Sequence, residues 1–214
     1  MTRHALLAGL VALTLSGCFS FLDGGPEVSE TRSLEPFTRV RIDDGIPAKF
    51  SPGAPSVTIN TQQKVLDNLE TTVKDGQLLV QLKVGVTVSS FSWTDVVITG
   101  EGVTSLEVTG GSRLEASGLD TQPLRLNASG GSQLSVSGRS ADARFNASGA
   151  SKISAFELAA TAVSVEASGG STLEVNASQS VEGTASGGSR VVVEGAADTT
   201  AISTSGGSTV SRRQ

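Results

Sequence analysis

From about residue 96 onward, apolar and polar residues alternate with a period of two, and the alternation recurs at a longer period. A unit of a small residue, Gly, Gly or Ala, and Ser occupies residues 109–112, 129–132, 148–151, 168–171, 186–189 and 205–208. Its closing serines, Ser112, Ser132, Ser151, Ser171, Ser189 and Ser208, are separated by 20, 19, 20, 18 and 19 residues. Aligned on that serine, the sixth position before it reads Leu106, Leu126, Phe145, Val165, Gly183 and Ile202, and the second position after it reads Leu114, Leu134, Ile153, Leu173, Val191 and Val210. Odd positions are polar: Glu107, Asn127, Asn146, Glu166, Thr184 and Ser203 stand five before, and Arg113, Gln133, Lys152, Thr172, Arg190 and Thr209 directly after. The pattern predicts extended chain with an apolar inward side and a polar outward side.

A period near 19 residues is too short for a helical hairpin and fits one coil of a β-solenoid. Equivalent residues of successive coils then stack about 4.8 Å apart, so each aligned position becomes a ladder. The serine column is expected to face inward, with each hydroxyl bonding its neighbour or a backbone group. The glycine before each serine, with Ala150 as the exception, is expected where the chain bends or needs positive φ. Leu, Val and Ile recurring in register with the Gly/Ser units argue against a flexible low-complexity linker.

Upstream, strand signals occur at residues 38–42, 48–50, 56–61, 69–73 and 78–83, with Asp75-Gly76 as a hairpin turn between the last two and a short helical turn around 63–68. The expected fold is all-β: a helix-like solenoid over residues 96–210, preceded by an N-terminal β part over 34–95 that packs on or caps it, with a tail at 211–214.

The start of the chain has a different logic. Arg3 and His4 precede an uncharged apolar stretch over residues 5–15, and Leu15, Ser16 and Gly17 lead into Cys18. This is a signal peptide over residues 1–17 with a lipobox, and lipidation is expected at Cys18. As a helix the apolar run would reach roughly 16 Å against a hydrocarbon core of about 30 Å, too short for a mature spanning anchor. Residues 18–33 then read as the lipidated cysteine and a Gly/Pro-interrupted tether. A lipid-anchored envelope protein follows, and Phe19 after the cysteine favours the outer membrane of a two-membrane organism.

Composition narrows the chemistry. Of 16 Lys plus Arg, removal of Arg3 leaves 15 against 21 Asp plus Glu, and a balance of minus six disfavours nucleic acid as a partner. His4 is the only histidine and Cys18 the only cysteine, so the mature chain has no imidazole and, once lipidated, no thiol. That excludes Ser-His-Asp and Cys-His catalysis and His-ligated metal sites, and no cofactor is expected. Asp43 and Asp44 are candidates for a cation or cationic ligand, or a solvated turn; Trp93 is a candidate sugar platform, or an aromatic cap over the first coil. The serine column is read as structural, since no base accompanies it.

The segment Phe37-Thr38-Arg39-Val40-Arg41-Ile42-Asp43-Asp44-Gly45-Ile46, then Ala48-Lys49-Phe50, Ser56-Val57-Thr58-Ile59, the Asp75-Gly76-Gln77-Leu78 turn and the later Ser-Gly-Gly-Ser coils resemble the head GIN domain family, whose members are described as auto-transporter adhesins. The resemblance implies a right-handed, mostly β, helix-like fold on secreted or lipidated envelope proteins. It brings no established activity, and Pro47 after the Gly-Ile step departs from the pattern. Three functions are expected to compete. The first is a non-enzymatic envelope lipoprotein acting as an adhesin or binding module for a glycan or an envelope or surface protein. The second is a polysaccharide-processing enzyme using Asp43, Asp44 and Asp95, and the third a passive envelope scaffold.

Overall fold

The computed structural model describes residues 25–88 and 90–213, and the lipobox and Cys18 lie outside them. Its strands are β1 (Glu27–Ser33), β2 (Arg39–Ile42), β3 (Pro47–Pro52), β4 (Ser56–Gln62), β5 (Leu69–Lys74), β6 (Gln77–Leu82), β7 (Asp95–Gly100), β8 (Ser105–Val108), β9 (Arg113–Asp120), β10 (Leu124–Ala128), β11 (Gln133–Ala147), β12 (Lys152–Ala167), β13 (Thr172–Ala185), β14 (Arg190–Glu194), β15 (Asp198–Thr204) and β16 (Thr209–Arg212). One short helix, α1 (Gln63–Leu66), joins β4 to β5 and buries Val65 and Leu66.

The fold is a β-solenoid and not a barrel. One face stacks β6, β2, β8, β10, the second halves of β11, β12 and β13, and β15, all in parallel. The other stacks β7, β3, β9, the first halves of β11, β12 and β13, then β14 and β16, also in parallel. Inward residues of both faces form one continuous core of Leu, Val, Ile, Ala and a few Phe. Inward columns such as Leu106, Leu126, Phe145 and Val165, or Leu114, Leu134, Ile153, Leu173 and Val191, are essentially solvent-free.

The Gly-Gly-Ser units make the tight turns from the first face to the second. In five of them the serine N–H donates to the carbonyl three residues back, as from Ser112 to Thr109 at 3.1 Å and from Ser189 to Ser186 at 3.3 Å, and at Ser132 the side-chain hydroxyl donates to the Ser129 carbonyl instead. Both central residues have positive φ, for example 62° at Gly110 and 80° at Gly111. The two glycines serve different purposes. A Cβ on the first would point at the preceding coil, 3.2 Å from the Gly110 nitrogen for Gly130 and 2.9 Å from the Gly169 nitrogen for Gly187. A Cβ on the second, as at Gly131, Gly170 or Gly188, would meet nothing within 4 Å. Ala150 occupies such a second position with φ 63°, so its methyl has room and only the backbone is strained.

The N-terminal part is interleaved with the solenoid. β2 and β3 stack directly under β8 and β9, so residues 39–52 already form a coil, and the division expected at residues 95 and 96 does not separate two structural units. β6 and β7, later in sequence, lie on the outer side of β2 and β3. The pairing of Ile42 with Val108 and of Pro47 with Arg113 aligns Asp43-Asp44-Gly45-Ile46 with Thr109-Gly110-Gly111-Ser112. The Gly-Ile step is thus the first turn of the ladder, with Ile46 buried in the serine column.

Antiparallel strands finish this end: β5 pairs with β6, β4 with β7, and β1 with β4. The expected tether through residue 33 is corrected here, since residues 27–33 form β1. Its pattern escaped notice because Val28 alone is apolar among its half-buried positions, which continue with Glu30 and Arg32. Arg32 pairs with Glu30 and donates to the Thr71 hydroxyl at 2.8 Å and the Leu69 carbonyl at 3.4 Å. It bridges the outermost strands of the two faces, β1 and β5.

Chemical denaturation tests the turn analysis. Gly188→Ala is expected to cost about 1 kcal/mol, the left-handed penalty of a residue with room for its methyl. Gly187→Ala should cost clearly more, since backbone must also move. Ala150→Gly should stabilise by about 0.5–1 kcal/mol, the relieved left-handed strand strain less the extra entropy of an unfolded glycine. Equal effects at Gly187 and Gly188 would contradict the assigned inter-turn contact.

Candidate functional site

The second face carries a groove of about 650 Å³ running along the solenoid axis. Its floor and one wall are an outward ladder fixed by strand register: Val97 pairs with Lys49, Lys49 with Glu115, Glu115 with Ser135, and Ser135 with Ser154. Five strands at about 4.8 Å spacing give it a length of roughly 19 Å. A second outward column two residues further along the strands, Ser51, Ser117, Ser137 and Phe156, lines it beside the first. The chain carries register shifts here, between Ser135 and Gly138 in the β11–β12 pairing and between Ala155 and Ala159 in the β12–β13 pairing; bulges of this kind re-aim side chains. They turn flat polar columns into a concavity.

Chemically the groove is a row of hydroxyls with charged ends. Lys49 pairs with Asp95 at 2.9 Å, and that hydrogen bond holds its ammonium above the ordinary lysine range. Glu115 follows, then four serines, Ser117, Ser135, Ser137 and Ser154, the last donating to the Glu174 carboxylate at 2.8 Å. Phe156 ends the row, with the Arg213 guanidinium 4.4 Å above its ring centroid and paired with Glu194 at 2.8 Å. Of these, sequence reasoning singled out only Asp95, and as a catalytic carboxylate. The available signals were the Ser-Gly steps at residues 117–118 and 137–138 and the break in that serine column at Phe156.

Opposite, the first face has a shallower hollow of about 300 Å³ along Glu107, Asn127, Asn146 and Glu166. The Asn127 and Asn146 amides bond each other at 2.9 Å, and Arg41 pairs with Glu107 at 3.2 Å. This column largely satisfies itself.

The residues singled out from sequence are dispersed. Asp43 pairs with Arg41 at 2.9 Å, a contact that raises the guanidinium pKa further, while its other carboxylate oxygen is buried without a partner. Asp44 accepts the Leu82 N–H at 2.9 Å with φ 63°. It can stand where later coils need the first glycine because the residues facing it belong to the long connection after β6, not to another tight turn. Asp95 is held by Lys49, so the three carboxylates proposed for an enzyme each serve a separate partner. Trp93 does not cap the first coil: it is 66% exposed, and its neighbour Phe91 packs on the core beside Gly45 instead.

The serines Ser112, Ser132, Ser151, Ser171 and Ser189 are buried, while Ser208 in the last coil is half-buried. Ser132 donates to the Val108 carbonyl at 2.8 Å, Ser151 to Ala128 at 2.8 Å, and Ser171 to Ala147 at 3.0 Å. Each hydroxyl therefore ties its turn to the preceding coil. Ser151→Ala is expected to cost about 1 kcal/mol, because the Ala128 carbonyl keeps the Ser148 N–H as a donor. Urea titration checks this, and a loss near zero would remove the serine column from the forces aligning the coils.

The chain is a β-solenoid whose second face carries a hydroxyl-lined axial groove. Residues 36–197 match the family described as putative auto-transporter adhesin, head GIN domain, and the chain belongs to that family. Among solved structures it is similar to a putative adhesin from Bacteroides fragilis, at 16% identity and a TM-score of 0.72 over 88% of this chain and 97% of that one. It is similar also to a putative adhesin from Parabacteroides distasonis, at 15% identity and a TM-score of 0.55 over 88% and 98% of the two chains. A putative lipid binding protein from the same species matches at 14% identity and a TM-score of 0.52 over 90% and 98%. At these identities the likeness shows the fold. No curated protein matches.

Proposed function

We propose that this chain is a non-enzymatic adhesin of the cell envelope, anchored through a lipid on Cys18 in the outer membrane, whose axial groove binds an extended hydroxyl-rich polymer such as a glycan. The observation that carries this reading is the groove itself. Its hydroxyls recur at the coil spacing, so a chain molecule lying along the axis meets the same donors and acceptors repeatedly. Serine hydroxyls both donate and accept, which suits sugar hydroxyls, and Phe156 supplies an apolar contact at one end. Membership of an adhesin family supports a binding role, and the separate engagement of Asp43, Asp44 and Asp95 supports the absence of catalysis.

The test is binding of the soluble chain from residue 19 onward to an array of envelope and surface polysaccharides, with reducing-end release monitored in the same samples. Saturable binding without product is expected. Phe156→Ala should weaken it about tenfold, the effect of losing an anchor worth about 1.4 kcal/mol, and Ser135→Arg, at an outward position, should abolish it by filling the groove. Product formation would overturn the non-enzymatic reading. Binding that survives both substitutions would move the site elsewhere, and absence of any binding would leave the scaffold role as the better account.

A further inference from the structure

Among the described residues, two large apolar side chains are exposed, Val84 at 98% and Trp93 at 66%. Both belong to the connection between β6 and β7, where the later coils have a tight turn of two positive-φ residues, Gly-Gly or, at 149–150, Gly-Ala. Each is held in a closed turn. The Val86 N–H donates to the Lys83 carbonyl at 3.1 Å around Val84, with Gly85 at φ 82°, and the Thr94 N–H donates to the Phe91 carbonyl at 2.9 Å around Trp93. Phe91 supplies the packing this connection needs against the core. Trp93 and Val84 are thus presented outward by ordered backbone while a neighbour does the interior work.

The chain enters the fold beside Trp93. A hollow of about 350 Å³ beside the Trp93 ring is lined by Glu27, Val28 and Ser29 of β1 with Asn60 and Thr61 of β4. Just before β1, the Pro26 carbonyl accepts the Gln63 N–H at 3.0 Å, fixing the chain's point of arrival. Cys18 lies seven residues before Gly25, a span of at most about 25 Å when fully extended. A lipid on Cys18 therefore holds this corner, and not the distal coils, close to the bilayer.

We infer that the corner bearing Val84 and Trp93 seats in the interfacial region of the membrane that holds the lipid anchor, so that the solenoid stands with its N-terminal end down. The inference rests on the lipid-anchor reading above. Tryptophan prefers the membrane–water interface, where its ring is buried and its N–H stays wet. A mature chain with a balance of minus six gains nothing electrostatically from anionic lipid, so the contact relies on apolar insertion beside the tether and is insensitive to salt.

Trp93 is the only tryptophan, which makes its own fluorescence the probe. The lipidated full chain is reconstituted in phosphatidylethanolamine–phosphatidylglycerol vesicles with and without brominated acyl chains, and flotation confirms attachment. The expected result is an emission maximum shifted to shorter wavelength than in the soluble chain from residue 19, with loss of intensity in brominated vesicles, unchanged by added salt. In a Trp93→Phe, Thr209→Trp chain, whose reporter sits on exposed distal β16, emission should be neither shifted nor quenched. A chain that floats with Trp93 unshifted and unquenched overturns the inference while leaving the anchor standing. Equal quenching at both positions also overturns it, since the domain would then lie flat. Failure to float under conditions where the signal is processed removes the anchor and the inference with it.

Discussion

The contact on which the rest of this structure depends is between the backbones of successive tight turns. The first glycine of each turn rests on the turn before it so closely that a methyl there would lie about 3 Å from a backbone nitrogen, at Gly110 over Asp44, Gly130 over Gly110, Gly149 over Gly130 and Gly169 over Gly149. Side-chain-free stacking lets the coils close to ladder spacing at their sharpest bend, where any Cβ would wedge them apart. With that edge fixed, register along both faces follows, because a slip by one residue would exchange the apolar inward column for the polar outward one. The buried serines add a polar tie at the same place, as second donors to carbonyls that already accept a backbone N–H from the next coil.

A fixed edge has consequences for the outer surface. Since register is set from inside, outward columns such as Lys49, Glu115, Ser135 and Ser154 are aligned whatever their chemistry. Salt bridges between neighbouring coils, Lys152 with Glu174 at 2.7 Å and Arg139 with Asp120 at 2.6 Å, decorate this alignment. The Arg139–Asp120 pair, exposed on both sides, contributes little to it. The groove is the larger departure from a flat polar face, about 650 Å³ against about 300 Å³ for the hollow on the first face, and bulges make it without disturbing the glycine edge.

How much of this could be read from the chain depended on whether a feature repeats. Six returns of the Gly-Gly-Ser unit disclose the coil length, the inward columns and the serine ladder, because each position is in effect sampled several times. Asp43-Asp44-Gly45-Ile46 is the same turn by stacking, yet only Gly45 survives of the signature. The first position is free for Asp44, and an apolar residue replaces the serine where the column begins. β1 was illegible for a similar reason: it covers an end, so it needs only one half-buried apolar side chain and uses Arg32 to span the faces. The groove lay beyond sequence reasoning because it arises from where register shifts fall between β9, β11, β12 and β13, and bulge positions depend on pairing partners that no single repeat contains.

The two ends of a solenoid pose different problems, and here the N-terminal end is solved by changing strand direction. β4 and β5 run antiparallel to the last parallel strands β7 and β6, and β1 follows antiparallel to β4, which ends the parallel ladder with strands that cannot extend it in kind. This reversal forces the connections at residues 53–55, 63–68 and 83–94 into one end of the molecule, freeing one of them from the two-glycine geometry. A connection released from stacking can carry large side chains, and Phe91 and Trp93 divide the available roles, one inward on the core and one outward. The exposed tryptophan is therefore a product of the capping topology, and it stands where the chain arrives from Cys18. On the proposed orientation the groove begins near the membrane at Val97 and Lys49 and ends away from it at Phe156 and Arg213. A polymer would then approach along the axis from the distal side, with the aromatic residue as its first contact.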